Sequence, residues 1–200
     1  MIIYLLMSAV WAASVQATHL SGKFSIAGFS FGGKVPGSIY LGKNGEVDVQ
    51  IMRPAGLPLI SVTYTGQEVC FLFDFDNQYY SGTSEEFSEL SSGVLEADQL
   101  HLIFAAQQEA IPQWTWHEKN NKLKRVTIGN STNMAQIRYN QWKQGEYNRI
   151  NIDIKDTGWK LKGTITNREE TQWNFQCSPP NEVEQLPLLK MRESIAPKEQ

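Results

Sequence analysis

The sequence predicts a mostly β domain: a single antiparallel sheet of about ten or eleven strands, curled into an unclosed half-barrel with two short helices as a lid. Two observations support this fold class. Short segments in which apolar and polar residues alternate recur from Leu20 onward, as expected for strands with one buried and one solvated face. Helical patterns are confined to the middle of the chain, and a sheet this wide needs a cover for its concave side.

The chain starts with an apolar run that has the features of an export signal. Ile2 to Val15 carries no charge, and Val15-Gln16-Ala17 has the small-x-small pattern of a signal peptidase site. The run is shorter than the roughly 20 apolar residues of a membrane-spanning helix, although an uncleaved anchor is the alternative. We predict a signal peptide over residues 1–17, a half-barrel domain over 18–177 and a mobile tail over 178–200.

Alternation is clearest in four of the predicted strands. Their apolar positions are Val47, Val49 and Ile51; Val69, Phe71 and Phe73; Ile150, Ile152 and Ile154; and Trp159 and Leu161. Turn sequences such as Lys43-Asn44-Gly45 separate the strands. Parity places the members of each set on one face of the sheet, but it does not say which face is concave.

Two helices are predicted between the strands. Thr83-Ser84-Glu85-Glu86 is a capping-box sequence, and Phe87 and Leu90 follow it at helical spacing. A second helix is predicted over residues 96–106. Its apolar residues are Leu100, Ile103 and Phe104.

Composition excludes some classes of partner and favours others. The formal net charge of -3 gives no basic field of the kind that nucleic-acid binding requires. The chain contains six Trp, seven Tyr and nine Phe, which is more than a plain β scaffold needs. This aromatic content suits a protein that lines an apolar site.

Candidate catalytic motifs lack the context that their chemistry needs. Gly28-Phe29-Ser30-Phe31-Gly32 matches the serine hydrolase elbow, but that elbow requires a helix after the serine, and a glycine-rich turn follows here. His19, His101 and His117 show no metal-ligand spacing. We therefore predict that the protein is not an enzyme and uses no metal or cofactor.

The only cysteines of the chain are Cys70 and Cys177. In an oxidising compartment they could form one disulfide that closes a long loop. Cys70 is equally suited to be a free buried thiol, because it lies in the apolar run Val69-Cys70-Phe71. The sequence leaves both states open.

The order of elements between Tyr40 and Pro112 resembles the bacterial lipoprotein-localisation proteins, the periplasmic carrier LolA and its outer-membrane receptor LolB. The resemblance rests on three segments: Ile51-Met52-Arg53-Pro54-Ala55-Gly56, Gln78-Tyr79-Tyr80-Ser81-Gly82 before a short acidic helix, and Ile137-Arg138-Tyr139-Asn140-Gln141-Trp142. In that family an unclosed barrel covered by helices holds the acyl chains of a lipoprotein. The resemblance implies the same fold and the same class of cargo for this chain.

The resemblance also implies a role for the loop after Met52. In the receptor, the Pro-x-Gly loop carries a protruding leucine that helps insert cargo into the membrane. Here Pro54 is followed by Ala55, with Leu57 further on, and a methyl group buries much less apolar area than an isobutyl group. These three residues are the candidate membrane or cargo loop. The alanine, together with the lack of an anchoring cysteine, favours a soluble carrier over a membrane-bound receptor.

We thus predict a soluble, monomeric periplasmic carrier of lipid or lipid-modified protein, with an envelope protein as a second candidate partner. The predicted ligand-binding residues of the cavity wall and lid are Val69, Phe71, Phe73, Ile150, Ile152, Ile154, Trp159, Leu161, Leu100, Ile103 and Phe104. The alternative is a structural or protein-interaction β domain of the cell envelope. A cavity wall and a fully packed core need the same residues, so the sequence does not separate the two.

Overall fold

The computed structural model describes residues 14–27, 33–53, 58–74, 77–129, 133–155, 159–177, 179 and 183–191. The strands within them are β1 Val15–Ala27, β2 Val35–Gly42, β3 Val47–Met52, β4 Pro58–Tyr64, β5 Glu68–Phe73, β6 Gln78–Thr83, β7 Trp114–Glu118, β8 Leu123–Gly129, β9 Met134–Asn140, β10 Arg149–Ile154, β11 Trp159–Trp173 and β12 Glu184–Pro187. The helices are α1 Ser84–Leu90 and α2 Gln99–Ala105, and a short 3-10 helix covers Leu188–Lys190.

These strands form one sheet in the order β12-β6-β5-β4-β3-β2-β1-β11-β10-β9-β8-β7. The long strands β1 and β11 pair at its middle and join an N-terminal half to a C-terminal half. Neighbouring strands are antiparallel except β12, which runs parallel to β6. The predicted fold class is confirmed, with a twelfth strand and one parallel pair that the sequence pattern did not indicate.

Both helices lie on the connection from β6 to β7. Strand β7 is one edge of the sheet, and β6 lies next to β12 at the opposite edge. To join them, the chain crosses the inner face, which is why the helices cover it. The predicted start of α1 is confirmed: the side chain of Thr83 accepts from the backbone N–H of Glu86, and the Glu86 carboxylate accepts from that of Thr83. The second helix begins at Gln99, later than predicted, because residues 96–100 form turns, in which the N–H of Gln99 donates to the carbonyl of Glu96 and that of Leu100 to the carbonyl of Ala97.

A phenylalanine fills the centre of the inner face. Phe24 is fully buried, and two glycines on the neighbouring strands flank its ring. A Cβ atom on Gly37 or on Gly163 would lie 2.6 Å from a ring carbon, closer than packed atoms approach. The two glycines therefore make room for the aromatic ring where the two halves of the sheet meet.

Part of the tail that the sequence predicts to be mobile is folded. Glu184–Pro187 pairs with β6, and Leu188 and Met191 are fully buried. Leu188 packs tightly over Gly82, where an added Cβ would lie 2.7 Å from the leucine Cβ. The prolines and charges of the tail predict mobility, but its few apolar residues provide buried contacts that hold it on the sheet.

The predicted signal peptide lies mostly outside the described residues. Its last residues, from Val15 to Ala17, form the start of β1 and pair with β11, and Ala17 is buried. A cut after Ala17 would therefore remove the first part of that strand. None of the helices in the described ranges is both long and apolar enough to cross a membrane.

A candidate apolar binding cavity

A cavity of about 150 Å³ lies between the inner face of the sheet and the two helices. Six strands and the helical connection contribute to its wall. The lining residues are Ile26, Val49, Ile60, Val62, Phe71, Phe73, Phe87, Leu95, Leu100, Ile103, Phe104, Ile152, Ile154, Lys160 and Leu161. All of these except Lys160 are apolar. A concave site with such a lining suits an apolar ligand.

Most of the predicted ligand-binding residues meet at this cavity. Those that line it are Phe71, Phe73, Leu100, Ile103, Phe104, Ile152, Ile154 and Leu161. Val69 and Ile150 are fully buried but do not line it. Trp159 begins β11, and its side chain lies outside the described part of the structure. The structure thus identifies the inner face, which parity left open, while ligand binding by these residues stays a prediction.

The cavity also has lining residues that the sequence analysis did not assign to the site. Val49 and Phe87 belong to periodic patterns that were recognised, but only the strand order places β3 and α1 beside the predicted wall. Ile26 was harder to find, because it follows Gly22 and Phe24 on the inner face and the glycine interrupts the apolar pattern. Which apolar residues line the cavity therefore depends on strand order more than on residue type.

The C-terminal end of α2 is anchored to the sheet by two buried tyrosines. The hydroxyl of Tyr139 donates to the carbonyl oxygen of Ile103 at 2.8 Å, and that of Tyr147 donates to the carbonyl oxygen of Phe104. The last carbonyls of a helix have no partner within the helix, so these bonds satisfy them. Burial raises the pKa of both tyrosines, which keeps their hydroxyls protonated as donors.

The candidate loop residues Pro54, Ala55 and Leu57 lie outside the described residues, as does Ser30. Their predicted roles stay predictions.

The two cysteines are joined in a disulfide, with Cα atoms 5.7 Å apart. After β11 the chain crosses the outer face of the sheet to reach Cys70 on β5. We call residues 173–177 the outer strap. The Trp173 ring stacks on Tyr40 of β2 with centroids 3.6 Å apart, and Phe175 lies against Gly42. The outer strap therefore covers the outer face between β2 and β5, opposite the cavity.

A buried carboxylate connects the outer strap to the sheet. Asp48 accepts hydrogen bonds from Trp173 Nε1 at 2.9 Å, Gln50 Nε2 at 2.9 Å and Thr63 Oγ1 at 3.1 Å. Burial raises the pKa of Asp48, and the three hydrogen bonds act in the opposite direction. A charge at 4% exposure is tolerated because each carboxylate oxygen has a donor.

A serine, a histidine and a glutamate form a chain of hydrogen bonds on the same outer face of the sheet. His19 Nε2 is 3.0 Å from Ser38 Oγ, and His19 Nδ1 is 2.9 Å from Glu169 Oε1, the order found in acyl-transfer triads. Ser38, however, is buried in the middle of β2 and pairs with both β1 and β3. Its backbone N–H belongs to the sheet and is not available as an oxyanion donor. We interpret the cluster as a structural polar network.

No family model matches the chain, and no curated protein matches it. Similar solved structures include a LolA superfamily protein from Nitrosomonas europaea, at 9% identity over 79% of this chain and 86% of that one, with a TM-score of 0.41. A putative outer membrane lipoprotein-sorting protein domain from Vibrio parahaemolyticus gives 6% identity, 78% and 85% coverage and a TM-score of 0.47. An uncharacterized conserved protein from Thermus thermophilus gives 10% identity, 88% and 91% coverage and a TM-score of 0.36. Two of these three proteins carry the description of the lipoprotein-sorting family that the sequence resembles.

Proposed function

We propose that the protein is an exported periplasmic carrier of lipid or lipid-modified protein that holds an acyl chain in the cavity beneath α1 and α2. The observation that carries the proposal is the cavity, whose lining is apolar apart from Lys160 at one side. A hydrocarbon ligand that covers this apolar lining removes it from water, which is favourable through the hydrophobic effect. The cargo class follows the sequence resemblance.

The cavity must enlarge to accept a full acyl chain. Its volume of about 150 Å³ is below the range of roughly 300–1,000 Å³ that is typical of ligand pockets. The bonds from Tyr139 and Tyr147 hold only the C-terminal end of α2. Leu95 and Leu100, toward the other end, cover the cavity through apolar contacts. We infer that the lid opens about the tyrosine anchor, as lids are drawn from less stable regions.

The first experiment asks whether the cavity binds an apolar ligand. Native mass spectrometry of protein purified from its own cell envelope is expected to show co-purifying lipid, and a fluorescent fatty acid is expected to bind. Val62→Phe places a ring in the cavity and is expected to weaken fatty-acid binding at least tenfold. Ser61→Phe is the matched control, because Ser61 faces the other side of the same strand. Absence of lipid and of fatty-acid binding would favour a packed structural domain.

The lid supplies a second experiment. Phe104 is 3% exposed, and truncating such a residue in a filled core destabilises by about 3–5 kcal/mol. For a lid over a cavity we expect a smaller stability loss in Phe104→Ala, together with a change in fatty-acid binding. Hydrogen exchange is expected to be faster in α2 than in β10, and added fatty acid is expected to slow exchange in α2 selectively. A full core penalty with equal protection of α2 and β10 would contradict the carrier.

The proposal contains no catalytic step. We expect a fluorophosphonate probe to label neither Ser30 nor Ser38, because one lacks a following helix in the sequence and the other lies within a paired strand. Intact-mass measurement after incubation tests this. Stoichiometric labelling that Ser38→Ala or Ser30→Ala abolishes would show that the protein is a hydrolase.

A further inference from the structure

A polar groove of about 520 Å³ lies on the outer face of β9, β10 and β11, on the other side of the sheet from the cavity. Its charged lining residues are Lys34, Arg138, Arg149, Lys160, Lys162 and Asp153. Five of these are cationic and one is anionic, although the whole chain carries a net charge of -3. Positive charge is therefore concentrated in this groove against the overall balance of the protein.

Strand register brings the cations together. Lys162 lies opposite Asn151 on β10, and Asn151 lies opposite Arg138 on β9. Arg138 in turn lies directly opposite Arg125 on β8, and like charges in that position repel. Within the described ranges, Lys160 is the only one of the five groove cations with a carboxylate partner, Asp153 at 3.5 Å. A bound anion would relieve the repulsion that remains.

The uncharged lining narrows the chemistry of that anion. It consists mainly of amides and hydroxyls: Ser25, Gln136, Asn140, Asn151 and Thr164. The residues described as lining the groove include no aromatic side chain, so it offers no stacking platform for nucleic-acid bases and no aromatic anchor for a protein hot spot. Arginine and lysine bind phosphate oxygens strongly, and amides and hydroxyls suit a hydroxylated neighbour. A lipid headgroup offers both a phosphate for the cations and a hydroxylated neighbour for the amides and hydroxyls.

The groove and the cavity lie on opposite faces of the sheet and come together at the start of β11. Lys160 borders both of them, and its sequence neighbour Leu161 points into the cavity. We propose that the groove binds the phosphate headgroups of an anionic bilayer, so that this protein docks on the membrane surface with the β10–β11 side of the cavity beside the lipid. The proposal goes beyond the carrier function and does not depend on what fills the cavity.

Vesicle co-sedimentation with the full chain tests the proposal. Binding to vesicles that contain phosphatidylglycerol is expected, with much weaker binding to phosphatidylcholine alone and a decline as salt is raised. Each cation near an anionic membrane contributes about fivefold in affinity. The triple variant Arg138→Gln, Arg149→Gln, Lys162→Gln is therefore expected to lose about 100-fold. Asp153→Asn removes the groove carboxylate and is expected to strengthen binding.

The matched control carries the same change of charge away from the groove. Lys43, Lys119 and Lys122 are exposed in turns and do not line the groove. The triple glutamine variant at these positions is expected to bind vesicles within about threefold of the unaltered protein, since distant exposed charges are screened. Fatty-acid binding in the groove variant is expected to be unchanged, because none of its three substitutions touches the cavity lining.

Several results would overturn the proposal. One is that the protein does not bind anionic vesicles. Another is that the groove variant and the control variant lose vesicle binding to the same extent. A third is that the protein binds free inorganic phosphate as tightly, per phosphate, as it binds the vesicles. Polyglutamate binding that depends on the groove cations, without vesicle binding, would assign the groove to an acidic protein instead. Vesicle binding without fatty-acid binding would reject the carrier function and leave the membrane-docking proposal standing, so the two failures are distinguishable.

Discussion

The two halves of the sheet share one inner face but differ on the outer face. The outer strap covers β2 to β5, where Asp48 and Cys70 are buried and each has a partner. None of the described segments covers the outer face of β8 to β11, which carries Arg138 on β9 together with Lys162 on β11. A covered face can hold polar groups only when each finds a hydrogen-bond partner, whereas an uncovered face is solvated and tolerates charge. Strands with similar alternation therefore have opposite outer environments.

The largest expected effect is removal of the covalent link in the covered half. Replacing Cys70 and Cys177 together by serine is expected to lower the free energy of unfolding by about 4–5 kcal/mol, because the bridge joins residues 107 positions apart. Urea unfolding measures the loss. Reductant should destabilise the unaltered protein by a similar amount and leave the double variant unchanged. A loss below about 1 kcal/mol would mean that the outer strap is held without the bridge.

The next effect compares one carboxylate in each half. Asp48→Ala leaves three donors around it without their acceptor and is expected to destabilise by about 1–3 kcal/mol. Asp153→Ala, which removes a partly exposed carboxylate beside Lys160, is expected to change stability by less than about 0.5 kcal/mol. Thermal and urea unfolding of both variants test the comparison. Equal losses would show that the outer strap does not change the environment of the face.

The pH dependence of stability tests the burial of Asp48. Its pKa is raised in the folded state, so the folded protein binds the proton more tightly than the unfolded chain does. The stability due to this group is therefore fully present below the unfolded pKa and is lost as the pH rises through the folded pKa. Asp48→Asn can accept from Trp173 and Gln50 and donate to Thr63, so it removes the ionisation and keeps the bonds.

We therefore expect the stability of Asp48→Asn, relative to the unaltered protein, to rise as the pH increases from below 3.8 to neutral. Urea unfolding across that range measures the difference. Asp153→Asn serves as the control from the uncovered half. If the stability difference between Asp48→Asn and the unaltered protein did not change with pH, the raised pKa of Asp48 in the folded protein would be contradicted.

The smallest effect is expected on the uncovered face. Arg138→Gln removes one of two arginines that lie directly opposite each other and is expected to leave stability unchanged or to raise it by about 0.2–0.4 kcal/mol. Urea unfolding at low and high salt tests this, because salt should weaken any gain. A clear loss of stability would show that Arg138 has a structural role that its exposure does not indicate.

The sequence by itself determined most of the strands, the first helix and most of the cavity wall. Alternation at Phe71 and Phe73 or at Ile152 and Ile154 is a local pattern with period two, and the capping box at Thr83 is likewise local. Such patterns depend on neighbouring residues along the chain, so they can be recognised without knowledge of the fold. They indicate which residues share a face.

Only the tertiary structure decided what each face meets. The inner face is identified by the crossing of α1 and α2 from one side of the sheet to the other, and the disulfide requires the outer strap to reach β5. The basic groove requires β9, β10 and β11 to pair in one register, which brings Arg138 and Lys162 to the same row. These are contacts between distant parts of the chain. They depend on strand order and register, which a local pattern of polar and apolar residues does not encode.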